Sequence, residues 1–452
     1  MAVEGRARLS GIARGPIRMT MNPSSDQVSR PERRGAFMLL FCCLFAVGAG
    51  NMMLTSTVLP PLTREMGLPD WTAGAIFSLS AGVWVVTAPY WGNRSNSWGR
   101  RPVTAIGMFG FAVSMLLFGV VSLAGLLGWL SGWILIFVLL LVSRTLFGVF
   151  GSATNPAAQA YVADRTTREE RTDEIATLTS GFTLGQVAGP AAAGVLMGLG
   201  GLLSPTFGLV APTFVICIIA AAIGWIVLSR LPEHRPPRQD AGLGRSGAKG
   251  LWRDPAILPY LVYAVGLSLI TGVLSQTFPY VIMDRMDVTG TAAAQATAPP
   301  MTIGAMATLI AQLVLIPRLK LPVRSLMVYG AVMLALASIF MVWAEDFALF
   351  AFSQLLIGFG QGLGRPGFSA GASLAATHEQ QGDVAGLITA ANGMGFVVSP
   401  IFGLWMYERA AWAPFVFCAV LLTAMAIYAW FTAQSLRPTE EVMAKETTPD
   451  RT

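Results

Sequence analysis

Runs of about twenty apolar residues recur along the chain, and nothing else restricts its fold as much. At 1.5 Å rise per residue, twenty helical residues match a hydrocarbon core roughly 30 Å thick, whereas barrel strands would alternate over about ten residues. The runs begin near Ala36, Trp71, Val103, Trp133, Ile175 and Leu209, and again near Ile257, Pro300, Ser325, Phe347, Val384 and Trp412. Twelve runs predict an all-α polytopic membrane protein with twelve transmembrane helices. The charge content agrees, since 12% of the 452 residues are charged against about 25% in soluble domains. The expected partners are therefore the lipid bilayer and a small molecule, with no nucleic acid.

The longest interior polar segment, Arg230 to Asp254, is rich in Pro, Gly and Arg and reads as a linker. It divides the chain into a basic arm (1–35), a six-helix bundle (36–229), the linker (230–254), a second six-helix bundle (255–436) and a tail (437–452). The arm carries seven arginines and no apolar core, so it is not a cleavable signal. With the N-terminus inside, one face collects the arm, Arg94/Arg100/Arg101, Arg165/Arg168/Arg171, the linker, Arg318/Lys320/Arg324 and the tail. The other keeps Arg64, Arg285 and Arg409. By the positive-inside rule both termini are expected in the cytoplasm, in a multi-pass plasma-membrane protein (the inner membrane in a Gram-negative bacterium).

The halves repeat. "SRTLFGVFGSATNP" (Ser143 to Pro156) aligns without a gap with "SQLLIGFGQGLGRP" (Ser353 to Pro366), at an offset of 210. The same offset carries Asp173 onto Asp383, Gly185 onto Gly395 and Pro190 onto Pro400. A second match pairs Ala46-Val47-Gly48 and Pro61 with Ala264-Val265-Gly266 and Pro279. Parallel repeats related by an axis along the membrane normal are one way transporters are built. The two bundles are thus expected to be pseudo-symmetric.

The segment "GNRSNSWGRRP" between the second and third runs resembles the signature Gly-x-x-x-Asp-Arg-x-Gly-Arg-Arg of the major facilitator superfamily. Gly92, Gly99, Arg100 and Arg101 are in register; Asn96 stands for the aspartate and Ser97 for the following arginine. Arg144-x-x-x-Gly148 is similar to the family's span-four signature. Gly185-x-x-x-Gly189-Pro190-x-x-x-Gly194 resembles that of the twelve-span drug:proton antiporters. The resemblance covers Ala36 to Leu436. It implies alternating access and a monomer, with Arg144 coupling proton and substrate. It also implies an acid at the position of Asn96 that docks on the N-terminus of span eleven. The segment itself reads as a gating turn of Gly92, Asn96, Gly99, Arg100 and Arg101. Arg100 and Arg101 are placed to pair with Asp164.

An arginine centred in a bilayer costs at least about 2.5 kcal/mol, so Arg144 is expected to face a cavity or partner. Arg365 lies nearer the inner end and either snorkels or faces the same cavity; its repeat-mate is Asn155, so it is not a relic of the repeat. Asn51, Thr55, Gln276, Gln312, Gln361 and Asn392 line that cavity or bond helices to one another. Gly185, Gly189, Pro190 and Gly194 either pack span five tightly or bend it at the seam between the bundles. Within the spans there is no carboxylate to carry a proton, and Asp284, at the outer end of span seven, is the best candidate. Cys42, Cys43, Cys217 and Cys418 all lie in apolar runs without metal spacing, and neither metal nor cofactor is expected.

These features favour a secondary transporter, foremost a proton-coupled exporter of small apolar or amphipathic compounds. The alternative is a facilitator or symporter of a small anion using Arg144 and Arg365; a transport-dead sensor is a remote third. An intramembrane enzyme is disfavoured, because the two histidines, His234 and His378, fall in loops and no acid is buried.

Overall fold

The computed structural model describes residues 30–166, 168–233, 250–377 and 380–435. The arm up to residue 29, most of the linker with His234, His378 and the tail lie outside them. Among the described residues twelve helices are long and apolar enough to cross a membrane: α1 (Arg33–Glu65), α2 (Trp71–Trp98), α3 (Arg100–Leu126), α4 (Trp133–Ala163), α5 (Glu174–Gly201) and α6 (Pro205–Arg230), then α7 (Leu258–Arg285), α8 (Gly290–Leu319), α9 (Val323–Trp343), α10 (Phe347–Ala375), α11 (Val384–Arg409) and α12 (Ala413–Thr432). The described residues contain no strand.

α1 to α6 pack chiefly on one another, as do α7 to α12; the two groups meet where α2 touches α11 and α5 touches α8. Close backbone approach organises each bundle, and the repeat is visible in it. A Cβ at Gly185 would stand 2.2 Å from the Phe45 carbonyl oxygen of α1, and one at its repeat-mate Gly395 would stand 2.5 Å from Ser268 of α7. Gly148 abuts the Ser80 carbonyl on α2, and Gly358, again 210 residues on, abuts the Gly304 carbonyl on α8. Without a solvent-driven force between helices in lipid, this close packing is what holds them together.

The region between the second and third runs differs from the expected turn. Gly92 to Trp98 continue α2 as helix, and the reversal falls on Gly99 alone, at φ 98° and ψ 157°. Side chains rarely adopt that conformation, which is why glycine stands there. Two further irregularities have no sequence signal: π-helical turns at Leu54–Val58 in α1 and Ala311–Leu315 in α8.

Candidate functional site

A cavity of about 650 Å³ lies between the bundles, lined from both. α1 contributes Asn51, Met52 and, from its π-turn, Thr55; α2 contributes Phe77, Ser80 and Trp84; α4 contributes Arg144 and Phe147. From the second bundle come Gln276, Gln312, Arg365, Asn392 and Phe396. A smaller chamber of about 140 Å³ adjoins it, sharing Met52, Gln186, Arg365 and Phe396 and reaching Gln354, Gln361 and Pro190. Gln361 thus lines the side chamber rather than the main cavity.

Arg144 is 1% exposed. Its Nη2 donates to Asn51 Oδ1 at 2.8 Å, and its guanidinium lies 4.4 Å from the Phe147 ring centre and 5.1 Å from that of Phe77. Nε and Nη1 are buried without a hydrogen-bond partner. Arg365 lies over the Phe396 ring at 5.8 Å. Asn392 accepts from Ser268 Oγ at 2.7 Å, and the Thr55 hydroxyl donates to the Asn51 carbonyl at 2.5 Å. Sequence reasoning missed Gln186 and the aromatic walls. Gln186 carried a signal, a polar amide inside the small-residue stripe of α5; Phe77, Trp84 and Phe396 look like any apolar lipid-facing residue.

The face away from the Gly99 turn is closed by polar contacts between the bundles. Arg64 of α1 donates to both Asp70 oxygens, at 3.1 and 2.8 Å, and reaches across to Asp284 of α7. Asp284 Oδ2 also accepts from the Tyr407 hydroxyl at 2.6 Å. Thr63 and Tyr280 share a 3.2 Å bond across the seam, and the Trp71 N–H at the start of α2 donates to Glu408 Oε1 of α11 at 2.9 Å. Below them a Cβ at Gly74 would stand 2.5 Å from the Pro400 carbonyl oxygen. Asp284 therefore belongs to this closure and does not line the cavity.

Toward the basic face the described residues of α2 and α11 pack less closely. A Cβ at Gly386 would meet nothing within 4 Å, and Val86, Tyr90 and Met394 are exposed. Asn96, in the last turn of α2, is exposed rather than seated on α11. Beside it Arg100, nearly buried, donates from Nε to Asp164 Oδ2 at 2.9 Å and from Nη1 to Ser95 Oγ, while Arg101 is half-buried. Those contacts stay within the first bundle. In α5, Gly185 and Gly189 pack on α1 of their own bundle, whereas Gly194, with a Cβ position 3.0 Å from Ala298 of α8, faces the seam.

Two groups of six helices around a cavity lined by both, and tied together at one face, are the architecture of a membrane transporter, a carrier rather than an enzyme. The Major Facilitator Superfamily model matches residues 40–320 and 300–450, and the chain belongs to that family. Multidrug resistance protein 2 of Bacillus subtilis (strain 168) is 25% identical over 417 residues, covering 86% of this chain and 93% of its own. The class B tetracycline resistance protein of Escherichia coli is 29% identical over 205 residues, 45% of either chain. Among solved structures, a bacterial homolog of the human lysosomal transporter Spinster, inward-facing and occupied, superposes with a TM-score of 0.71 at 16% identity, covering 90% of this chain and 98% of that one. With its twelve apolar helices, the chain is a multi-pass protein of the cytoplasmic membrane.

Proposed function

We propose that the chain is a proton-coupled exporter of small apolar or amphipathic compounds, working as a monomer with its basic face in the cytoplasm. One observation carries the reading: a cavity with aromatic walls, Met52 and scattered amides, lined by both bundles and tied together at one face. Such walls hold apolar bodies of varied shape, because the thioether and ring surfaces adapt without requiring matched hydrogen bonds. Relatives named for multidrug and tetracycline resistance support export.

Asp284 is the proposed proton acceptor, acting through the closure. Ionised, it holds Arg64 across the seam; protonated, it loses that attraction and the outer face is freed to open. Arg144 would couple this change to the cavity through α4 and its bond to Asn51. In inverted vesicles with a compound panel, transport should require an imposed pH gradient. Transport that persists after the gradient is collapsed would sink the proton coupling, and failure to move any compound would sink the exporter reading.

A further inference from the structure

Among the described residues that line the cavity, Arg144 and Arg365 are the ionisable ones, and no aspartate, glutamate, lysine or histidine stands with them. Neither arginine belongs to an ion pair found among those residues. Arg144 is buried with two guanidinium nitrogens unpartnered, and it contributes to the cavity wall from the first bundle. Arg365 contributes from the second, with the Phe396 ring beside it.

A buried cation with unpaired N–H groups is costly to keep, and an anion that accepts from those groups offsets that cost most where water is excluded. A guanidinium presents a planar fork that matches a carboxylate. Two like charges on one cavity disfavour a cationic guest and favour a single negative group that both can reach. The remaining walls combine apolar surfaces, Phe77, Trp84, Met52 and Phe396 among them, with neutral amides and hydroxyls such as Gln276 and Asn392.

We propose that the cavity selects amphipathic monoanions. Arg144 and Arg365 accept the anionic group from opposite bundles, and the aromatic walls accept the apolar body. The proposal rests on the cavity being the transport path and names the substrate class for it. It gives Arg365, which has no counterpart in the first bundle, a role in substrate choice. It also makes the ligand a bridge between two bundles that must move against each other.

The test uses the purified full-length protein and two probes of one shape, 2-naphthoate and 2-naphthamide, with binding measured by calorimetry at neutral pH. Naphthoate should bind at least about tenfold tighter than the amide, as a charge-assisted bond to a buried group implies. Arg365→Gln should cut that ratio severalfold while amide binding persists, and Arg144→Gln with Arg365→Gln should bring it to about one. Arg365→Gln carries the test if Arg144→Gln fails to fold. Naphthoate binding no tighter than the amide, or not at all, overturns the proposal, as does a ratio that Arg365→Gln leaves unchanged. Vesicle transport reads the other claim separately. An acid preference in binding with no transport of any compound overturns the exporter reading alone, whereas transport of both probes without preference overturns only the substrate class.

Discussion

A Cβ at Gly185 would stand 2.2 Å from the Phe45 carbonyl oxygen and 2.7 Å from the Ala49 nitrogen, so one hydrogen atom decides whether α5 can lie against α1. Those neighbours are backbone and cannot swing away. Gly185→Val should therefore destabilise the protein by about 1–3 kcal/mol or more through overpacking, read as a lower thermal midpoint in detergent. Gly82→Ala is the control, since its nearest neighbour, Val397, is 3.9 Å away. An unchanged midpoint in Gly185→Val would remove the packing account. The glycine pattern was legible in the sequence, but which helix each glycine meets was not. Spacing places Gly185, Gly189 and Gly194 on one side of α5 without saying that two face α1 and the third the opposite bundle. Arg144 and Arg365 stood out for the same reason that makes them informative, the cost of a charge in an apolar run. Their common cavity is a matter of tertiary structure.

The α2–α11 pair shows what can be read at the level of elements. Both spans follow from their apolar runs, yet α2 extends through Gly92 to Trp98 where a turn was expected, because Gly99 alone supplies the reversal. The resemblance pointed to an acid on a helix N-terminus at the basic end of this pair, where Asn96 stands exposed. The contact of that kind occurs at the opposite end, where Glu408 of α11 accepts from the first N–H of α2. An anion there is favoured by the helix dipole by about 0.3–1 kcal/mol. Asn96→Asp would restore a charge at the basic end and should favour the state closed there and open at the opposite face. With native cysteines replaced and one introduced at the cavity residue Ser275, impermeant maleimide should label faster from the opposite face. No change in either direction counts against the latch. The π-turns that hold Thr55 and Gln312 escaped sequence reading altogether, since nothing in LTSTV or AQLVL sets a π-turn apart from ordinary helix.

For the whole molecule, the bundles are joined at the closed face by a small polar network on top of packed small residues. The Arg64–Asp284 pair is partly exposed, with 26% and 42% of the two side chains accessible, so it contributes on the order of 1 kcal/mol or less. Asp284→Asn should thus shift the balance toward the state open at that face by up to roughly fivefold. The same Ser275 label should report it, and a wild-type labelling rate would remove Asp284 from the closure.

Sequence alone determined the number of helices, their repeat at an offset of 210 and the two arginines worth explaining, because burial in lipid imposes run length, charge exclusion and small-residue spacing locally along the chain. It did not determine which face is closed, that Asp284 sits in that closure, or that Gln361 lines a side chamber. Those are relations between helices distant in sequence. They are set by how two rigid bundles dock, and no run of residues along one helix encodes that docking.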